Sequence, residues 1–256
     1  MESAEYEESV LDYLARYAPL VDRGVPAEAD AVGPARAVGP GDVREALERC
    51  QAALGLESTG VVDDETRAAM SRKRCGIRDP AAVTASVQGL WPQRSLGFGF
   101  GDLNSGPVSP DSVRDGVSAA LRTWEDVGAG FSFYEVDSEA TADIWFEWRP
   151  TDDADYDMAG VTIAHADFPP FPPEAAEIVD RPPLPLHLEV GEGWITGADP
   201  AGYDLETVVL HELGHCLGFE HTPLVASVMY PSFRRNWIRR ELHVTDRDNL
   251  RALYSA

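Results

Sequence analysis

Eleven residues constrain this chain more than any others: His211-Glu212-Leu213-Gly214-His215-Cys216-Leu217-Gly218-Phe219-Glu220-His221. Positions i and i+4 share one helical face, one turn apart, so His211 and His215 can reach a single ion. Gly218 accepts the positive φ that turns a chain out of a helix, and the turn returns His221 to the same ion. Three imidazoles leave the fourth tetrahedral position of a zinc ion open, as a hydrolytic site requires. Zinc lowers the pKa of a bound water to about 7 and polarises a scissile carbonyl. Glu212 sits beside the first ligand, where a general base can take that water's proton and return it to a leaving amine. A bare His-Glu-x-x-His arises by chance. A further Gly and His at fixed places make a chance match roughly several hundred-fold rarer. Thr207-Val208-Val209-Leu210 supplies the apolar face of the helix, which the alternative reading, a core helix with incidental histidines, would also need. Downstream, Ser227-Val228-Met229-Tyr230-Pro231 sets a methionine in a tight turn below the histidines, a hydrophobic floor rather than a reactive group.

The rest of the chain divides near residue 80. Tyr6, Val10, Tyr13, Leu14 and Tyr17 fall at helical spacing over residues 6–20. A Gly-, Pro- and Ala-rich loop follows from Gly24 to Gly41. Asp42 reads as an N-cap with Glu45 three residues on, and Gly55 ends that helix. Asp63 or Asp64 caps another helix to about Met70, giving a compact three-helix unit. Beyond Thr84, Leu96–Phe100, Phe131–Val136, Ala142–Trp148 and Val161–His165 read as strands. Ser112–Val127 and Leu205–Leu217 read as helices, the second capped by Asp204. Asp167–Pro185 is Pro-rich and reads as an irregular loop. Thr245 caps a last helix, Asp246–Tyr254. This order predicts an α/β (α+β) domain with a mixed, mostly parallel sheet.

Composition limits the partners. The net charge is −23, from 44 acidic and 21 basic residues, so nucleic acid and anionic membranes are repelled. No apolar run reaches membrane-spanning length. Three cysteines (Cys50, Cys75 and Cys216) make no disulfide framework. The N-terminus is acidic where a secretion signal would be basic and then apolar. His243 has no evident partner, and Cys216 reads as packing.

These motifs resemble the matrixins, the matrix metalloproteinase family of the metzincin zinc peptidases. Thr222 after the third histidine suits that subgroup, Leu121–Glu125 looks like its first long helix, and Ala142-Asp143-Ile144 like its following strand. The resemblance implies a latent zinc endopeptidase (the EC 3.4.24 class) with no hemopexin-like repeats, acting extracellularly as a monomer on polypeptide substrates. Residues 1–80 then form a helical propeptide and 81–256 the catalytic domain. Arg74-Cys75-Gly76-Ile77-Arg78-Asp79 resembles the family's cysteine switch, in which Cys75 takes the open zinc position and Asp79 pairs with Arg74. Lys73 and Arg78 stand where the family usually has proline. The propeptide is similar to peptidoglycan-binding modules, so cell-wall binding is the alternative function. The resemblance also implies a second, structural zinc with His165 and His187. The expected first histidine of that site is missing, and Asp152 and Asp153 are the nearby oxygen ligands. It implies calcium at Asp157, Glu189 and Glu192, with backbone carbonyls of residues 158–162. Arg234, Arg235, Arg239 and Arg240, around Trp237 and Ile238, would wall the S1′ pocket or form a solvated loop. Asp246 resembles the carboxylate that receives the new N-terminus after propeptide removal; a helix-dipole role is the alternative.

Overall fold

The structure is a computed structural model that describes residues 2–18, 40–80, 89–153, 156–169, 183–197 and 201–255. The expected Gly24–Gly41 loop lies almost wholly outside them.

Helices α1 (Glu2–Tyr17), α2 (Pro40–Ala53) and α3 (Asp64–Met70) form the N-terminal unit. Val10, Tyr13, Leu14 and Tyr17 recur at i, i+3, i+4 and i+7, and they bury against Ala46, Leu47, Cys50, Ala69 and Met70. Asp42 lies inside the first turn of α2 rather than at its cap. The helix closes where expected. Gly55 takes φ 71, its N–H bonds Ala52 O, and the Leu56 N–H bonds Gln51 O, satisfying carbonyls that a helix end leaves orphaned. Gln51 is fully buried between α2 and α3. Its amide nitrogen lies 2.9–3.0 Å from Thr59 Oγ1, Val61 O and Thr66 Oγ1, and its carbonyl accepts from the Gly60 N–H.

The larger unit is built on a six-stranded sheet in the order β1-β5-β6-β4-β2-β3. Its strands are β1 (Arg74–Cys75), β2 (Ser95–Phe100), β3 (Ser132–Glu135), β4 (Ile144–Arg149), β5 (Thr162–Ala166) and β6 (Leu184–Glu189). All pairs are parallel except β5 with β6. A two-residue pair, β7 (Trp194–Ile195) and β8 (Tyr203–Asp204), leads into the histidine helix. Helices α4 (Pro110–Glu125), α5 (Leu205–Cys216) and α6 (Val244–Leu253) complete the unit. Val113, Val117, Ala120, Leu121 and Trp124 form the buried face of α4. The core joins that face to β4 through Ile144, Phe146 and Trp148 and to α5 through Leu205, Val208, Val209 and Leu213.

Two sequence expectations change. Residues 184–189 form a strand between β4 and β5, so the end of the expected 167–185 loop is central sheet; residues 170–182 lie outside the described residues. Pro185 is tolerated because the Leu184 N–H already bonds Asp143 O toward β4. Alternation then turns the Pro185 nitrogen toward β5 where that strand ends, and the Asp167 N–H donates to Pro185 O. The last helix begins at Val244, and its cap is His243 rather than Thr245. The His243 side chain accepts from the Thr245 N–H, while Asp246 accepts from the His243 N–H.

Candidate metal centres

Helix α5 is buried at every residue but Glu206, and its ends are satisfied by protein. Asp204 caps the start, accepting from the Thr207 N–H at 3.0 Å. At the other end Trp91 Nε1 donates to Cys216 O at 2.6 Å and the Tyr254 hydroxyl to Leu217 O at 2.9 Å. Gly218 takes φ 97. Its N–H bonds His215 O and the Phe219 N–H bonds Gly214 O, the paired closure of a left-handed helix stop. The chain leaves the helix there and returns His221 beside His211 and His215.

His215 Nε2 lies 3.1 Å from His211 Nε2 and 3.2 Å from His221 Nε2. The opposite nitrogens are held. His211 Nδ1 meets Val228 O at 2.6 Å, His215 Nδ1 meets Phe219 O at 2.6 Å, and His221 Nδ1 meets Asp79 Oδ1 at 3.0 Å. Carbonyls and carboxylates only accept, so each Nδ1 carries the hydrogen. Burial keeps the rings neutral by holding His211 and His215 well below the ordinary imidazole value, and His221 below it. Three Nε2 lone pairs therefore converge with no imidazole proton among them, an arrangement that a cation stabilises.

Cys75 completes the group. Its Sγ lies 3.4 Å from His215 Nε2 and 3.4 Å from Glu212 Oε2, and one ligand atom from each of Cys75, His211, His215 and His221 fits within 4.8 Å of the others. Burial first, and Glu212 second, push the thiol well above its ordinary value. A bound cation reverses that order. Burial also raises Glu212, to about 8, and its Oε1 is buried without a hydrogen-bond partner.

The 73–79 segment reaches the centre as an added strand. Arg74 N–H bonds Val161 O and Gly76 N–H bonds Ala164 O on β5. On the other side Cys75 N–H bonds Pro231 O, and Phe233 N–H bonds Lys73 O. Arg74 is fully buried. It spans both Asp79 oxygens at 2.6 and 3.0 Å, donates to the Tyr13 hydroxyl at 2.8 Å and lies 4.0 Å from the Tyr17 ring centre. Burial raises the Asp79 carboxyl, but Arg74 and His221 outweigh it and hold the group at about 2.

Met229 lies below the helix, 2% exposed, against Gly214. Asp246 anchors this turn by accepting from Ser227 Oγ at 2.5 Å, the Val228 N–H at 3.1 Å and the His243 N–H at 2.9 Å. Trp237 lies between Arg234 and Arg239, at 4.5 and 3.8 Å, while Arg240 pairs with Asp204 and Glu206.

A second group joins Asp153, His165 and His187, all buried, with ligand atoms within 4.8 Å of one another. His187 Nδ1 lies 3.1 Å from both His165 Nε2 and Asp153 Oδ2. Asp152 is exposed. The turn closed by Asp153 N–H to Pro150 O points the second aspartate inward instead. The three calcium candidates do not converge among the described residues. Asp157 is exposed and pairs with Arg16 at 2.6 Å, Glu192 pairs with Lys73, and Glu189 accepts from Thr151 Oγ1 and the Gly191 N–H.

Sequence spacing did not reveal the roles of Trp91 and Tyr254 at the helix end or of Asp79 at His221. All act across long sequence separations, and only the side-chain chemistry hinted at them.

Comparison with known proteins gives a consistent picture. The family described as Matrixin matches residues 90–255. Matrix metalloproteinase-25 of Homo sapiens is 30% identical over 95% of this chain and 44% of its own length. Matrix metalloproteinase-19 of Mus musculus is 30% identical over 97% of this chain and 44% of its own. Metalloendoproteinase 1-MMP of Arabidopsis thaliana is 30% identical over 84% and 61%. The chain spans between about a third and under half of the length of the first curated relatives it matches. Alignments over 95% and 97% of the chain leave little of the N-terminal unit out, so that unit is shared with proteins named as metalloproteinases. They lend no support to cell-wall binding as a separate function.

Proposed function

The chain belongs to the matrixin family, and on that premise we propose that it is a zinc-dependent endopeptidase held latent by its own N-terminal segment. The observation that carries this reading is the convergence of three unprotonated Nε2 atoms beside a thiol and a buried carboxyl. His211, His215 and His221 would hold zinc, with Cys75 as a further ligand in the full chain. When bound, zinc supplies Lewis acidity toward a carbonyl and acidifies water.

The chain's own groups do the rest. Glu212, freed of Cys75, takes the proton of the attacking water and delivers it to the leaving amine. Its carboxyl lies beside the ligand group, within reach of a water there once the Cys75 thiol has left. The slot between β5 and residues 231–233 binds extended backbone from both sides, as it binds residues 73–76 here. A polypeptide substrate enters it as an added strand. Residues 1–80 act as the inhibitor and 81–256 as the peptidase, and removal of the chain up to roughly residue 80–90 opens the site. His165, His187 and Asp153 hold a second zinc, buried and structural. Calcium at Asp157, Glu189 and Glu192 requires that these carboxylates, apart in this form of the chain, lose Arg16 and Lys73 and draw together. The protein works outside the cell as a monomer, and among the described residues no helix is long and apolar enough to cross a membrane.

The test is cleavage of an unfolded polypeptide by zinc-loaded chain freed of residues 1–80. We expect activity that falls at least about 10²-fold on Glu212→Gln with zinc content unchanged. Cleavage that survives Glu212→Gln, or none after removal of residues 1–80, refutes the reading.

A further inference from the structure

A zinc-bound imidazole is oriented by whatever its other nitrogen donates to, and such outer partners tune affinity nearly as much as the ligands. For two of the three histidines that partner belongs to the peptidase unit itself: Val228 O for His211 and Phe219 O for His215. His221 differs. Its Nδ1 donates to Asp79 Oδ1, 142 residues away in sequence and inside the N-terminal segment. Asp79 is 7% exposed, so water does not compete for it. The same Oδ1 accepts from Arg74 Nη2 at 2.6 Å, and the other oxygen from Arg74 Nη1 at 3.0 Å. The partner of His221 is also the only ionised one of the three, and a carboxylate acceptor makes a stronger hydrogen bond than a carbonyl.

We propose that Asp79 is a positioning residue for the metal: the segment that blocks the site also supplies the carboxylate that orients His221, so the latent chain retains zinc more tightly than Cys75 alone explains. The inference rests on the zinc reading above. Coupling of this kind is reciprocal. A seated segment tightens zinc, and zinc tightens the seated segment by the same factor. Release of the segment then removes a ligand and an outer partner in one event, leaving His221 as the least constrained of the three imidazoles.

The experiment uses full-length chain in a Cys75→Ser background, which removes the thiol's own contribution. Zinc affinity is measured by competition with a chromophoric chelator, and ligand geometry by the visible spectrum of the cobalt(II)-substituted protein. Asp79→Asn is expected to weaken zinc binding about ten-fold or more and to alter the cobalt spectrum. Arg74→Lys, which disturbs the same ion pair but leaves the carboxylate on His221, is expected to change affinity less than about two-fold. The inference is overturned if Asp79→Asn binds zinc within about two-fold of its parent, or if Arg74→Lys weakens it equally, which marks a merely structural role. Should Asp79→Asn not fold, Asp79→Glu replaces it. The longer side chain keeps the charge but displaces the oxygen, and unchanged affinity there is equally fatal. A parent chain that binds no zinc at all refutes the function proposed above rather than this inference.

Discussion

Gly214 lies between the first two histidines and faces Met229. A Cβ built on it would stand 2.2 Å from Met229 Sδ, 3.0 Å from its Cε and 3.3 Å from Trp124 Cζ2. Two effects oppose each other in Gly214→Ala. Alanine is a better helix former than glycine by about 0.8–1 kcal/mol. Against that, a sulfur 2.2 Å away must retreat by more than an ångström in a core where Met229 is 2% exposed and α5 is buried from Thr207 to Cys216. Overpacking of this kind costs about 1–3 kcal/mol, and here it leans on the helix that carries His211 and His215. We expect a net loss of about 1–2 kcal/mol and a Tm lower by about 2–8 °C. The assay is thermal and urea unfolding followed by near-ultraviolet circular dichroism at fixed zinc, on the parent, Gly214→Ala, Met229→Ala and the double variant. Met229→Ala alone should cost about 2–5 kcal/mol. It should cost about 1–2 kcal/mol less in the Gly214→Ala background, where it relieves the collision. Parent-like stability of Gly214→Ala, or additivity of the two changes within about 0.5 kcal/mol, refutes the claim that Gly214 is required by the approach of Met229.

Two further outcomes follow from buried charge. Burial holds His165 at about 3 in the folded chain, whereas an unfolded histidine takes its proton near 6.5. Between those values the unfolded state binds the extra proton, so the metal-stripped chain is fully stabilised above pH 6.5. It then loses about 1.4 kcal/mol per pH unit from this residue as pH falls toward 3. The urea midpoint should drop between pH 7 and 5, and the slope should flatten in His165→Gln; an unchanged slope rules out this origin. Lys73 occupies Glu192 and Gly160 O, so Lys73→Ala should raise calcium affinity of the full chain at least several-fold in isothermal titration. Equal affinity in both proteins means that the ammonium does not compete.

What was legible in the sequence was what local geometry dictates. His211 and His215 share a face because a helix has 3.6 residues per turn, and α5 needed only the apolar run before them and Asp204 as its cap. Gly218 and Gly55 were readable because a left-handed residue stops a helix, and both stop one here with the same pair of hydrogen bonds. Strand β6 was not legible, since Leu184-Pro185-Leu186 carries a proline that usually excludes a central strand. It is admitted only because β5 ends opposite that nitrogen. The choice of Asp153 over Asp152 turns on one residue in a tight turn, a distinction that composition cannot carry. Nor could the calcium expectation anticipate that Arg16 and Lys73, both from the N-terminal segment, neutralise Asp157 and Glu192 in this form of the chain.

Apart from the choice between Asp152 and Asp153, these misses have a common cause. Each concerns a partner far along the chain, and several of those partners lie in the N-terminal segment. That segment contributes a strand to the sheet at β5, a thiol beside three imidazoles, a carboxylate to His221 and two cations to acidic side chains of the peptidase unit. An inhibitor that only covered a site could be cut loose at the cost of its own contact area. Here the Arg74–Asp79 pair is buried, and losing one partner of such a pair costs about 3–5 kcal/mol because the other charge is stranded. Asp79 ties that pair to His221, so the pair cannot open without disturbing that ring. The hold of the N-terminal segment on the three imidazoles is therefore shared across the hydrogen-bonded unit from Tyr13 through Arg74 and Asp79 to His221, of which Cys75 is only one member.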